Sequence, residues 1–441
     1  MEKQNSTKQQ LNKLIEFRQV VYNQVLLKAK AGQQELVAAL LEGERIRSFP
    51  ELSLSTRFQR KWHSSYAAID RGEQAPEILR ALGKDQMAAN ETHVLAIDTT
   101  VWPHPQAHTL SDLFLEHSPT KGVRRAAVCG HIYSAMSWIP EVGSSWALPL
   151  SNQRLRANQT PIEVAVEQIT ELLVQELAWF PVFVGDGHYG SHLFLGPLKD
   201  QDCAVVTKLA KNRVLYGDPG PYAGFGRPCK HGHRFAFQEP ETWDAPDEEC
   251  SFQDAHYGQV RLRRWDDLHA KKDAETVFSV ILVETHLQND EPGDPLWLAF
   301  QAPVHYCATQ VWKWYQYRWP IEPSFRFRKQ ELHWTTPRFL DSRRCDTWTL
   351  LVDIAFWNLF LAKDLVPDQP YPWQKKQVSR TPGRVLKAFK TLFADLDPLT
   401  QLPKVRGKSP GWPKGKLRTR PQRFQVIART EKQRQSFLNR A

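Results

Sequence analysis

The chain of 441 residues has few cysteines and no long apolar run, and both shortages restrict what it can be. Its longest apolar stretch, residues 350–362, is interrupted by Asp353 and Asn358 and is shorter than the roughly 20 residues that a membrane helix requires. The opening, MEKQNSTKQQ, lacks the basic and apolar segments of a secretion signal. We therefore expect the protein to stay in the cytosol.

The cysteines are scattered and form no Cys-x-x-Cys pair, which predicts reduced thiols and argues against a structural zinc motif. Their positions are Cys129, Cys203, Cys229, Cys250, Cys307 and Cys345. Cys229 lies close to His231 and His233, which raises the question of a metal ion. A turn with incidental histidines is the simpler explanation of that group.

Acidic residues are scarce at the C-terminal end. From Lys404 onward there are twelve Lys or Arg residues and one acid, Glu431, so this tail has a charge of +11. Because the net charge of the whole chain is +10, residues 1–403 carry about −1. Because the tail is also rich in Pro and Gly, we predict an extended segment that binds the DNA backbone without reading sequence; a merely solubilising tail is the alternative. The tail residues singled out for DNA binding are Lys414, Lys416, Arg418 and Arg420.

Chemically useful side chains concentrate in residues 312–334, WKWYQYRWPIEPSFRFRKQELHW. Four polar residues there have two, three and six residues between them, which places them within about 60° of one helical face. They are Tyr315, Arg318, Glu322 and Lys329. One acid among cations suits a phosphate site, since the carboxylate can hold a divalent metal while the cations bind phosphate oxygens. A surface helix with solvated charges is the alternative.

Two prolines complicate this helix. Pro320 and Pro323 disfavour helical geometry at the residues that precede them and remove two amide donors. We therefore predict either a kink or two short helices that meet here.

The N-terminal residues 1–90 are predicted to be helical from the spacing of their apolar positions. Ser55 is predicted to cap a helix whose basic side chains suit contact with DNA, although packing of that helix on the core is equally compatible with the pattern. The basic residues proposed for DNA binding are Arg57, Arg60 and Lys61.

Two aspartates come just after short apolar runs. Asp98 comes after residues 94–97, and Asp186 comes after residues 182–184 in the sequence GDGHYG. A carboxylate at the end of a buried strand lies at the rim of a sheet, where ligands of open α/β sheets collect. The glycines beside Asp186 are expected to let the backbone turn sharply and expose the carboxylate. Aspartates that only stabilise turns are the alternative for both.

The order Tyr315, Arg318, Glu322, Lys329, combined with Asp98 and with an Asp186 followed by Gly-x-Tyr, resembles bacterial insertion-sequence transposases of the DDE superfamily. The resemblance implies an α/β fold with an RNase H-like catalytic core, in which three strands, a helix and a strand follow in order. Two strands predicted in residues 128–150, and a helix at residues 160–177 with Thr160 as its cap, fit that order. Residues 206–304, which alternate short strands and turns, would form a β-rich insertion.

The resemblance also assigns roles. Asp98, Asp186 and Glu322 would be the catalytic residues and would bind two Mg²⁺ ions, which Mn²⁺ could replace. The phosphate at the cut end would be bound by Tyr315, Arg318 and Lys329. Trp297 matches the position where the family stacks a flipped base; a core role for this residue, or Trp243 or Trp265 as the stacking residue, remain alternatives.

The implied activity is metal-dependent cleavage at transposon ends and strand transfer into target DNA through hairpinned ends, by a homodimer associated with the bacterial nucleoid. The implied domains are an N-terminal helical DNA-binding domain (1–90), the first part of the core (91–205), the insertion (206–304), the second part of the core (305–365) and a region with the basic tail (366–441). A transposase-derived DNA-binding regulator without catalysis and a metal-dependent nuclease without strand transfer are the alternatives.

Overall fold

A computed structural model of the chain describes residues 2–105, 107–117, 127–222, 224, 226–286, 293–370, 372–376, 379–396, 411, 414–415, 417 and 420–428. Within these ranges, no helix combines the length and the apolar character that crossing a bilayer demands. All six cysteines are described, and none forms a disulfide.

The first 90 residues fold mainly into helices, as predicted. Leu14 and Phe17, and likewise Leu36 and Leu40, recur at helical spacing and are buried, so packing of these apolar faces holds the helices together. The elements are α1 (Glu2–Val20), β1 (Leu26–Lys28), α2 (Lys30–Leu41), α3 (His63–Asp70), β2 (Glu73–Gln74) and α4 (Pro76–Lys84), with β1 and β2 paired antiparallel, a π-helical turn at Val21–Val25 and a 3₁₀ turn at Phe49–Leu54.

The prediction that a helix begins at Ser55 is wrong. The Ser55 hydroxyl accepts a hydrogen bond from the backbone N–H of Arg57 at 3.0 Å, which forms a local turn and no helix cap. The helix begins at His63, so Arg57, Arg60 and Lys61 lie in the connection before it.

A mixed sheet of twelve strands forms the centre of the described chain. Its first part contains β3 (Thr92–Pro103), β4 (Phe114–His117), β5 (Ala127–Ile139), β6 (Leu148–Arg154) and, after helix α5 (Pro161–Leu173), β7 (Phe180–Gly185). β3, β5 and β6 pair antiparallel, and β7 pairs parallel with β3. The predicted order of three strands, a helix and a strand is therefore present, with β4 added at the edge beside β5.

The helix α5 begins with the predicted capping box. The Thr160 hydroxyl accepts a hydrogen bond from the N–H of Glu163 at 3.2 Å, and the Glu163 carboxylate accepts one from the N–H of Thr160 at 2.7 Å. Pro161 occupies the first helical position, where no amide donor is missed.

Residues 204–301 are rich in strands, as predicted, and these strands extend the same sheet. They are β8 (Ala204–Leu209), β9 (Val214–Tyr216), β10 (Arg234–Ala236), β11 (Glu248–Asp254), β12 (Gly258–Ala270), β13 (Asp273–His286) and β14 (Leu296–Gln301), after the short helix α6 (His192–Leu195). β8 pairs parallel with β7 and antiparallel with β14. The boundaries proposed for a separate insertion domain stay a prediction.

The sheet order is β10, β9, β12, β13, β14, β8, β7, β3, β5 and β4, with β11 beside β12 and β6 beside β5. The helices that follow are α7 (Ala308–Gln316), α8 (Ile321–Gln330), α9 (Ser342–Leu361), α10 (Pro382–Phe389) and α11 (Phe393–Leu396). α9 packs between β6 and the N-terminal helices α1 and α2, and its residues Trp348 and Trp357 are fully buried.

Part of the basic tail lies along the edge of the sheet. Ile427 forms a parallel bridge with Phe114, and its backbone N–H donates to the carbonyl of Leu113 at 2.7 Å. The N–H of Leu115 donates in turn to the carbonyl of Ile427 at 2.9 Å. The backbone of Ile427 is therefore bound at the chain's own edge strand β4.

Candidate active site

The register of two parallel strands brings Asp98 and Asp186 together. The pairing of β3 with β7 ends at Ile97 opposite Gly185, and each aspartate is the next residue on its strand or just after it. The prediction that Asp98 lies at the end of a strand is wrong, because β3 continues to Pro103 by antiparallel pairing with β5. It does lie where the parallel pairing ends, so the carboxylate is still at a boundary of the sheet.

The turn after β7 was expected to depend on the glycines beside Asp186, but the structure places the steric constraint at a different glycine. Asp186 accepts a hydrogen bond from the N–H of His188 at 2.8 Å, and neither Gly185 nor Gly187 has a positive φ. Gly190 is the constrained position, since a Cβ there would lie 2.2 Å from the carbonyl oxygen of Lys208. The close approach of this turn to β8 therefore requires glycine at 190.

The signature segment forms two short helices, which confirms one of the two predicted outcomes. α7 ends at Gln316, and α8 begins at Ile321, directly after Pro320. Arg318 lies in the connecting turn. Its Nη1 is 3.4 Å from Asp98 Oδ2, and its Nη2 is 3.0 Å from Glu322 Oε1, so one guanidinium joins an acid of the sheet to an acid of α8.

Electrostatics place all three predicted acids in one site. Burial, followed by the charge of Asp186, raises the pKa of Asp98 to about 6 against the opposing charge of Arg318. Glu322 adds a smaller rise. Because like charges disfavour ionisation only when they are close, Asp98, Asp186 and Glu322 share one electrostatic environment.

The three acids do not yet chelate a common point. Among the described residues, the only group of three possible ligand side chains whose ligand atoms lie within 4.8 Å of one another is at His104, His131 and Cys345, away from these acids. The Arg318 guanidinium supplies the positive charge between the carboxylates instead. Oxygen ligands of this kind suit a hard divalent cation, and the mutual repulsion that raises the pKa of Asp98 is what such a cation relieves.

Tyr315 belongs to the same site. Burial raises the pKa of its phenol, while Arg318 opposes that rise through its charge and a hydrogen bond, and Asp186 and Asp98 contribute small increases. The Arg318 guanidinium and the two aspartate carboxylates therefore influence the ionisation of the Tyr315 phenol.

Lys329 contacts β3, the strand that carries Asp98. Its Nζ donates to the carbonyl oxygen of Val101 at 2.9 Å, three residues beyond Asp98 on the strand. Burial, together with the neighbouring charge of Arg328, lowers the pKa of Lys329 to about 8. Two of the three ammonium protons remain available for a phosphate after this bond.

Trp297 lies inside an aromatic cluster on β14. Its side chain is 3% exposed and stacks on Phe237 with ring centroids 4.0 Å apart. Trp243 and Trp265, the alternative stacking residues, contact it at 5.3 and 5.8 Å. A base can stack on Trp297 only if this cluster rearranges, so its role in base stacking stays a prediction, and the arrangement is the one expected of a core aromatic.

The basic residues predicted to bind DNA differ in their surroundings. Arg57 lies 3.6 Å from Glu42 and packs on the ring of Phe393, and Arg60 pairs with Glu35 at 3.1 Å. Three others, Lys61, Lys414 and Arg420, are exposed, whereas Lys416 and Arg418 lie outside the described residues. DNA binding by this set stays a prediction.

One exposed aromatic beside the site was missed from the sequence. Trp319 directly follows Arg318 in the turn between α7 and α8, and its side chain is 64% exposed. Its position between Arg318 and Pro320, where a proline interrupts the helix, was the available signal.

The surface group near Cys229 has partners of its own. His231 Nδ1 lies 2.9 Å from His269 Nε2, and His233 Nε2 lies 2.5 Å from Asp244. Both histidines are thus accounted for by neighbours other than Cys229.

Parallel strands that carry two aspartates, and a helix that supplies a glutamate beside an arginine, define a site of the kind found in metal-dependent nucleases. Residues 22–271 match the family model described as DDE superfamily endonuclease. Since this match spans more than half of the chain, the chain belongs to that family. The matched residues include Asp98 and Asp186, whereas Glu322 lies beyond them.

Among solved structures, the chain is similar to a piggyBac transposase in a synaptic complex with hairpin DNA. The TM-score is 0.40 and the sequence identity is 10%, over 88% of this chain and 77% of that one. No curated protein matches the chain.

Proposed function

We propose that this DDE endonuclease is a DNA transposase, which cleaves the ends of a mobile element and joins them to target DNA. The observation that carries the proposal is the electrostatic site formed by Asp98, Asp186 and Glu322 around Arg318. The order of β3, β5, β6, α5 and β7 supports an RNase H-like core for this site. The spacing of Tyr315, Arg318, Glu322 and Lys329 supports assignment to the bacterial insertion-sequence group that carries this signature.

The three carboxylates would hold divalent metal, Mg²⁺ or Mn²⁺, which when bound supplies activation of the attacking oxygen and charge neutralisation at phosphorus. Asp98 contributes a carboxylate that is largely ionised at neutral pH, since its pKa is about 6. Asp186 is fixed by the bond from the His188 N–H.

The proposed role of Arg318 is to bind phosphate, and it depends on release of the guanidinium from Asp98 and Glu322. When positive charge is supplied to Asp98 and Glu322 from another source, its guanidinium is released to bind a phosphate through two parallel N–H bonds. Tyr315 lies within hydrogen-bond reach of Arg318 and can donate its phenolic proton to the same phosphate. Lys329, held to Val101, adds a point charge beside it.

The proposed reaction sequence is nicking at the element's end, attack of the freed 3′-hydroxyl on the opposite strand, opening of the hairpin and strand transfer. Double-stranded DNA at both ends and at the target is the partner, and a homodimer would hold the two ends in one synaptic complex. The basic residues Lys61, Lys414 and Arg420, all exposed, support binding of the DNA backbone.

Joining of pre-cut ends tests the proposal. The substrate carries the inverted repeats that flank the gene, with free 3′-hydroxyls, and is incubated with target DNA and Mg²⁺. We expect a joined product with the full chain and none with Asp98→Asn or Glu322→Gln. Lys272→Gln, an exposed lysine in the turn between β12 and β13, is the matched control and should leave joining intact.

A nuclease without strand transfer is the second candidate, because the matched family is described by endonuclease activity. Cleavage of uncut ends without any joining of pre-cut ends would support the nuclease and overturn the transposase. A DNA-binding regulator would be indicated if the chain binds the ends and its activity is unchanged by Asp98→Asn.

A further inference from the structure

Three buried side chains outside the catalytic site converge on one point. His104 follows the end of β3, His131 lies on β5, and Cys345 lies in the first turns of α9. Their possible ligand atoms all lie within 4.8 Å of one another, and the residues are between 0 and 5% exposed. The proposed transposase chemistry uses none of them.

His131 is oriented as metal-binding histidines are. Its Nε2 lies 2.9 Å from the carbonyl oxygen of Ser111, so this nitrogen carries the proton and donates it. The other nitrogen, Nδ1, therefore presents a lone pair. It is buried and has no hydrogen-bond partner among the described residues. A backbone carbonyl that fixes the tautomer while the opposite nitrogen points to an ion is the usual arrangement around a bound metal.

Cys345 and His104 are nearly at the separation that a tetrahedral ion imposes. Cys345 Sγ lies 4.0 Å from His104 Nε2. Zinc bonds of about 2.3 Å to sulfur and 2.0–2.1 Å to nitrogen place tetrahedral ligands about 3.6 Å apart. A movement of less than about half an ångström would therefore bring Cys345 and His104 to that separation.

The surrounding charges accept a divalent ion together with a thiolate. Arg154 pairs with Asp112 at 2.7 Å and with Asp346 at 2.9 Å, which leaves one net negative charge beside the cluster. Without an ion, burial and Asp346 raise the pKa of the Cys345 thiol, so it is neutral. Binding of Zn²⁺ with release of the thiol proton to solvent adds one positive charge and brings the group to neutrality.

From this geometry we infer that His104, His131 and Cys345 bind a zinc ion that ties β3 and β5 to α9. One thiolate and two imidazoles favour zinc over magnesium, in contrast to the all-oxygen catalytic site. The three protein ligands leave a fourth position for a water molecule. A short sequence motif does not reveal this site, because its ligands come from three distant elements.

Cobalt binding tests the inference on the full chain, because Co²⁺ occupies zinc sites and a thiolate ligand gives it a charge-transfer band in the near ultraviolet. The chain is stripped with a chelator and titrated with Co²⁺, and its zinc content as purified is measured in parallel. Cys345→Ser removes the proposed thiolate. Cys229→Ser is the matched control, since Cys229 lies near other histidines at the surface.

We expect one zinc ion per chain and a cobalt–thiolate band that Cys345→Ser abolishes and Cys229→Ser leaves intact. His131→Asn, which keeps the thiol, should weaken cobalt binding at least about 10-fold. If Cys345→Ser does not fold, the cobalt affinity of His131→Asn and the comparison of the wild-type chain with Cys229→Ser still test the inference. Absence of the band from the wild-type chain, or its loss in Cys229→Ser, would overturn the inference.

Discussion

Arg318 and Arg328 lie in the same signature segment, and their surroundings are opposite. Arg318 stands in the turn before α8, is 20% exposed and bridges Asp98 and Glu322. Arg328 lies on α8, is fully buried and pairs with Asp353 at 2.9 Å, with the rings of Phe325 and Trp334 about it. We therefore expect Arg318 to exchange its carboxylate partners and Arg328 to keep its pair with Asp353.

The difference shows how burial separates function from structure within one helix pair. A partly exposed guanidinium can exchange a carboxylate for a phosphate at small cost, because water compensates each step. A buried ion pair has no such compensation, and loss of one partner leaves a desolvated charge. We therefore expect changes at Arg328 to affect stability and changes around Arg318 to affect chemistry.

The largest effect should come from Arg328→Met. It leaves Asp353 buried beside Asn152 without its cation, which should lower the free energy of unfolding by about 3–5 kcal/mol. Urea unfolding followed by circular dichroism measures this change. Arg318→Met is the matched control, with an expected loss below about 1 kcal/mol. Equal losses in the two variants would remove the distinction between the arginines.

The next effect is on catalysis. Glu322→Gln removes an exposed carboxylate charge, so DNA cleavage should fall by at least about 100-fold, equivalent to about 2.7 kcal/mol of transition-state stabilisation. The free energy of unfolding should change by less than about 0.5 kcal/mol. Single-turnover cleavage and urea unfolding of the same preparation measure both quantities. Glu331→Gln, just after α8, serves as the control, and a Glu322→Gln variant that still cleaves at the wild-type rate would exclude Glu322 from the site.

The pH dependence of binding should report on Lys329. Its pKa, lowered to about 8 by burial, means that the ammonium is charged in the unbound protein below pH 8 and neutral above it. Since a phosphate binds the charged form, affinity for end DNA should fall as pH rises above 8, by up to about tenfold per pH unit. Fluorescence anisotropy between pH 7 and about 9.5 measures it. Lys329→Arg should flatten the profile, and an unchanged slope in that variant would contradict the assignment.

The smallest effect is predicted at Trp319, the exposed ring beside Arg318. Trp319→Ala should weaken binding of end DNA about 5-fold, near the lower end of the energy of base stacking, without a change in stability. The control is Trp373→Ala, which removes another exposed tryptophan. Equal weakening in both variants would show that the effect is general and not specific to the site.

The three acids of the candidate site could be predicted from the sequence because each lies in a local pattern. Asp98 and Asp186 follow apolar runs, and Glu322 belongs to a spaced signature. Their convergence depends on the register that sets Ile97 opposite Gly185, which single-sequence patterns do not specify. The family resemblance supplied that step.

Other features depended on contacts between distant parts of the chain. The burial of Trp297 follows from its stack on Phe237, a residue 60 positions earlier in the chain. The meeting of His131 with Cys345 likewise requires the packing of α9 on the sheet. Local propensity does not encode these contacts.

Anomalous X-ray scattering from crystals grown with Mn²⁺ tests the central claim most directly. We predict a manganese peak between Asp98, Asp186 and Glu322, with the Arg318 guanidinium displaced from both acids that it now bridges. The claim would be contradicted if manganese bound elsewhere on the chain while Arg318 kept its contacts with Asp98 and Glu322.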